Sequence, residues 1–141
     1  MIRNGILSGF VLAAVWIGCA AGSTAKSGAL MGSWGGQHIG LEATAEGARI
    51  EYDCAHGTIE GPIIPGRDGR FEATGTHAAE HGGPVHEAPV GENDNEEGRP
   101  AHYRGELKGD VLNLTVTLDS GEEAGTFTLR RGAAPRLMKC L

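Results

Sequence analysis

The chain has 141 residues, a formal charge of −6, 24 glycines and 6 prolines, against three Phe, two Trp and two Tyr. One domain is the expectation at this length, and glycine at this frequency, at about 1 kcal/mol each in a helix interior, argues against a helical bundle. The charge argues against nucleic acid as a partner, because phosphate binding needs a basic patch.

The N-terminus reads as an export signal. Arg3 precedes the apolar run "GILSGFVLAAVWIG", about 14 residues and too short for the roughly 20 of a membrane span. The expectation is a signal helix within a signal peptide at 1–18, cut before Cys19 so that this cysteine carries lipid. Cleavage by a general signal peptidase after Ala21 or Ala25 is the rival chemistry. Residues 19–31 then form a linker, and the protein is placed in the periplasm or on the outer membrane, with the lipid as its sole membrane contact.

From Gly32 onward no long window repeats at helical spacing, and short alternating runs take over. "HIGLEAT" sets Ile39 and Leu41 on one face, and "ARIEYD" sets Ile50 and Tyr52. "GRFEATGTH" opens with Phe71, "VLNLTVTLD" carries Leu112, Leu114, Val116 and Leu118, and "GTFTLRR" carries Phe127 and Leu129. Turn chemistry separates them in "AEGA" (45–48), "RDGR" (67–70), "KGD" (108–110) and "DSGEEAG" (119–125). The prediction is a single all-β domain over 32–141, an antiparallel barrel of about seven or eight strands.

Cys54 lies two residues from His56, which permits three readings: nucleophile, metal ligand or disulfide. With Cys19 lipidated, Cys54 and Cys140 remain as a pair in an oxidising compartment, and a disulfide between them is the expectation. Residues 78–99 hold six acids and one arginine, so most of the chain's negative charge sits there. Without apolar periodicity this stretch is expected to be a solvated, mobile excursion between strands. At its entrance His77, His81 and His86 form the alternative site, because the three-residue gap in "HAAEH" occurs between histidine ligands and imidazole suits zinc or copper. Glycine and proline leave that spacing free to flex, so no metal or other cofactor is expected. The sequence contains no GxSxG elbow, no phosphate-binding P-loop and no HExxH.

"GSW" at Gly32–Trp34 resembles the G-x-W that opens the first strand of lipocalins. That resemblance implies a small barrel in which Trp34 closes one end, with Arg130 or Arg131 over its ring; Trp34 and Arg130 are the expected pair. It also implies a C-terminal tail tied to the barrel wall. A second resemblance covers nearly all of the mature chain. "GSWGGQHIGLEATAEGARIEYDCAHGTIEGPI", "GRFEATGTH", "GGPV" and "GTFTLRRGAAPRLMKCL" resemble a group of short bacterial exported proteins, which implies export and a common fold and brings no activity.

The functional expectation is a non-catalytic, monomeric binding or interaction protein of the cell envelope, whose partner is a small ligand or an envelope protein. Two alternatives stand beside it: a metal-binding or metal-assisted hydrolytic protein using His77, His81 and His86, and an inhibitor of an exported hydrolase.

Overall fold

The computed structural model describes residues 28–80 and 98–140. They form eight strands: β1 (Gly32–Gly36), β2 (Ile39–Ala43), β3 (Gly47–Tyr52), β4 (Ala55–Glu60), β5 (Arg70–Ala79), β6 (Arg99–Lys108), β7 (Val111–Leu118) and β8 (Glu123–Arg131). Each pairs antiparallel with its sequence neighbour, and β1 pairs with β8 to close the barrel. The expected signal helix and the lipidation position Cys19 lie outside the described residues.

Alternation decides what fills the lumen. Inward positions carry Trp34, Ile39, Leu41, Ile50, Tyr103, Leu112, Leu114, Val116 and Leu129, none more than 3 % exposed. An eight-stranded barrel is either packed by its side chains or holds one small ligand; these residues pack it. The bulk of Tyr103 is matched by Gly57 opposite. A Cβ there would stand 2.6 Å from the Tyr103 hydroxyl and 2.7 Å from the Thr76 carbonyl that this hydroxyl donates to. Below the sheet, Leu30 donates its N–H to the Ile63 carbonyl, and both side chains are buried as a plug at that end.

Beyond β8 the tail turns back and crosses the outer face of β1 and β2. Its path needs glycine. Gly35 and Gly40 are cross-strand partners; a Cβ on Gly35 would overlap the Ala133 carbonyl, and one on Gly40 would lie 2.9 Å from Pro135 Cβ. The tail is held by backbone bonds, from Arg136 N–H to the Gly36 carbonyl at 3.0 Å and from His38 N–H to the Arg136 carbonyl at 2.9 Å. It ends with Cys140 at disulfide-bonding distance from Cys54, their Cα atoms 5.3 Å apart.

Two expectations need correction. Arg131, not Arg130, covers the tryptophan, its guanidinium carbon 4.4 Å from the Trp34 ring centroid. The reason is register: Arg131 pairs with inward-facing Trp34, which leaves Arg130 on the outer face opposite Gly35. The excursion expected at 78–99 is also shorter than the charge pattern suggests. Ala78 and Ala79 continue β5 by pairing with β4, and Arg99 opens β6 by pairing with His77.

Candidate functional site

The turns at one end of the barrel gather most of the polar chemistry. β1 and β2 are joined there by Gln37 and His38, β3 and β4 by Asp53 and Cys54, and β7 and β8 by residues 119–122.

Asp53 is the hub. One carboxylate oxygen accepts from His38 Nδ1 at 2.6 Å and the other accepts from the Met138 backbone N–H at 2.8 Å. These bonds, the backbone one foremost, hold its carboxyl below the usual range, assisted by the His38 ring and the Lys139 charge. An ionised carboxylate can only accept, so His38 carries its proton on Nδ1, and its Nε2 can take a hydrogen from the Gln37 amide 3.2 Å away. His38 adopts a left-handed backbone, φ 65°, which is unusual for a residue with a Cβ. The Arg136 carbonyl and the Asp53 carboxylate together hold it in place. A histidine beside a carboxylate is also the orienting half of a catalytic triad. Here both ring nitrogens are engaged by Gln37 and Asp53, which fits a structural tie between two turns and the tail.

The inner rim is aromatic. Tyr52 packs against His77 and Phe127, with ring centroids 5.0 and 5.4 Å away. Burial pushes both the Tyr52 and Tyr103 hydroxyls above their ordinary pKa, Tyr52 strongly, and proximity of Tyr103 adds to the rise at Tyr52. Tyr52 Oη lies in the field of Tyr103 yet makes no hydrogen bond among the described residues. His77, half-buried against this ring, is held below its ordinary value by burial first and then by the His56 and Arg99 charges. Outside it, His56 Nδ1 meets Glu80 at 3.3 Å, and Arg99 reaches Asp119 at 3.4 Å and Glu122 at 4.0 Å.

Of the histidines singled out by sequence, His77 is an inward-facing residue of β5, while His81 and His86 lie outside the described residues. No group of three or more His, Cys, Asp or Glu side chains able to hold a metal occurs among the described residues. Cys54 faces Cys140 and not His56, whose ring nitrogen turns to Glu80. Sequence reasoning missed Asp53. The signal it gave was adjacency to Cys54 at a two-residue turn, but its partner Met138 is 85 positions away.

Comparisons with protein families, with curated proteins and with solved structures found no match to this chain.

Proposed function

We propose that this protein is an exported, non-catalytic binding module of the cell envelope, anchored by lipid on Cys19, which contacts a protein partner through the turns at the Asp53 end of the barrel. The observation that carries the reading is the combination of a lumen packed by its own side chains with a rim whose turns are tied together by Asp53 and the tail. A packed lumen turns binding outward, and turns fixed before contact lose little entropy on association. Trp34 beneath Arg131 and a tail strapped to the wall support a lipocalin-like plan in which the interior serves as core. The same preset turns favour, as a second reading, inhibition of an exported hydrolase, in which rigid loops enter a cleft.

A photocrosslinking amino acid placed at Gln37 or Glu122, both exposed, is expected to yield a discrete protein adduct in intact envelopes, and the same probe at exposed Thr44 on the opposite end is not. A fluorescent fatty-acid analogue is expected to gain no stoichiometric, displaceable binding. Adducts from Thr44 alone, or saturable uptake of the analogue, would overturn the reading. Mass spectrometry of the mature N-terminus tests the anchor; a chain beginning at Gly22 or Lys26 would remove it.

A further inference from the structure

The outer surface of the barrel carries several shallow hollows, and one differs in charge. It lies on the closing seam, where β1 and β8 share only three paired positions and the tail passes over them. Its walls include Arg130 from β8, Arg136 from the tail, Gln37 and Thr128, beside Gly35, onto which the tail backbone packs. No carboxylate lines it. Three other hollows among the described residues each include acids: Asp68, Glu72 and Glu106 in one, Glu60 and Glu72 in another, Glu42 and Glu46 in a third.

Arg70, Arg99, Arg104 and Arg131 each sit within 4.0 Å of a carboxylate. Like Arg49 and Arg67, Arg130 and Arg136 have no carboxylate within 4.0 Å among the described residues. What sets Arg130 and Arg136 apart is that they share a hollow without an acid, in a chain whose formal charge is −6. The Thr128 hydroxyl donates to Asn113 at 2.9 Å and so is itself held in position on this face. Arg136 is fixed at both its backbone N–H and its carbonyl by the β1–β2 hairpin, so its side chain starts from an ordered base.

We propose that this seam hollow binds a phosphate group. Two guanidinium forks without a competing acid match the geometry of a tetrahedral oxyanion, which each can contact through paired N–H donors. Size narrows the class. The hollow is about 260 Å³, below the roughly 300 to 1,000 Å³ of sites for drug-sized molecules, and suits a phosphate with a small substituent. Free phosphate and the phosphodiester of an anionic lipid headgroup share this chemistry. The hollow shares Gln37 with the rim of the proposed function, but the inference rests on Arg130 and Arg136 and not on what that rim contacts.

The test uses the exported protein with Cys19→Ser, so that no acyl chain dominates membrane binding. Inorganic phosphate is titrated while the arginine side-chain N–H resonances are followed, and co-sedimentation is measured with vesicles of phosphatidylcholine alone or with phosphatidylglycerol added. Saturable 1:1 shifts at Arg130 and Arg136 are expected, or preferential sedimentation with phosphatidylglycerol. Either should fall at least tenfold in R130A/R136A and stay within twofold in R49A/R67A, which removes equal charge elsewhere. Phosphate saturation without a vesicle preference assigns a soluble phosphate compound; preference for phosphatidylglycerol assigns a lipid headgroup. Equal weakening in both double variants, or no response to either probe while circular dichroism shows native fold, overturns the proposal.

Discussion

The two halves of the barrel are built differently. β1 to β4 are five or six residues long, whereas β5 to β8 run from eight to ten. The long half is held by its ladders, with outward polar pairs across them such as Thr115 with Thr126 and Asn113 with Thr128. The short half has fewer backbone bonds per strand, and it is there that the tail crosses, pairs with the β1–β2 turn and reaches Cys54. Covalent and side-chain ties are concentrated where the sheet itself contributes least.

Removing the covalent tie should give the largest effect. Cys54 and Cys140 are 86 positions apart, and the loop-entropy model assigns about 4 to 5 kcal/mol to closing such a loop. The double Cys54→Ser/Cys140→Ser variant should lose most of that in urea denaturation. Hydrogen exchange should rise first in β1 to β3 while β5 to β7 stay protected. Uniform loss of protection across all eight strands would show that the two halves are one cooperative unit and that the contrast has no energetic meaning.

Trp34→Ala comes next, because it opens the seam that joins the halves. The ring is 1 % exposed, donates to the Met31 carbonyl at 3.2 Å and lies beneath Arg131. Truncating such a residue costs about 3 to 5 kcal/mol. A loss under 1 kcal/mol by chemical denaturation would mean that the seam is dispensable and that β1 is held by the tail alone.

These two sites were legible in the sequence to different degrees, for physical reasons. β2, β3, β7 and β8 announce themselves because inward positions hold large apolar residues at period two, and β5 is marked by Phe71 at its start. β4 ("AHGTIE") and β6 ("RPAHYRGELK") do not, since their inward positions include the small residues Ala55, Gly57, Ala101 and Gly105; Gly57 makes room for the Tyr103 hydroxyl and Gly105 for the ring of its neighbour Phe71. The cysteine pair could be inferred from the cysteine count and the compartment expected from the N-terminal sequence. Asp53 could not, because its role depends on a tail that returns from the far end of the barrel, and sequence spacing carries no trace of that path. Arg130 and Arg131 were separable only by register, which one residue inverts.

Acid should act on the ladder half first, through His77 on β5, and on the strapped half second, through Asp53. His77 is held below its ordinary value of 6.5, so as pH falls beneath 6.5 the unfolded chain takes up the proton first and stability declines until the folded ring titrates. Asp53 is likewise held below 3.8, so its contribution is complete above that value and disappears as pH falls through the lower folded value. Urea midpoints measured from pH 8 to pH 2 should therefore fall in two stages. His77→Asn should flatten the upper stage and Asp53→Asn the lower one. Exchange of the β1–β2 turn should accelerate in the lower stage, when the Met138 bond is lost. A lower stage unchanged in Asp53→Asn would remove Asp53 as the hub.

The smallest effect is expected on the long half, and it sharpens the contrast by being small. Glu72 and Arg104 are partners across β5 and β6 at 3.1 Å, but both side chains are 76 % exposed. An ion pair in that setting gains little over hydration, and salt screens it further, so its coupling is about 0.2 to 1 kcal/mol at most. Backbone ladder bonds on both sides of Arg104, to β5 and to β7, persist when the side chain is removed. Arg104→Ala should shift the urea midpoint by less than about 0.5 kcal/mol, with the shift vanishing in high salt. A double-mutant cycle with Glu72→Ala measures the coupling directly; a value above about 2 kcal/mol would show that the long half, too, depends on side-chain ties and not on its ladders.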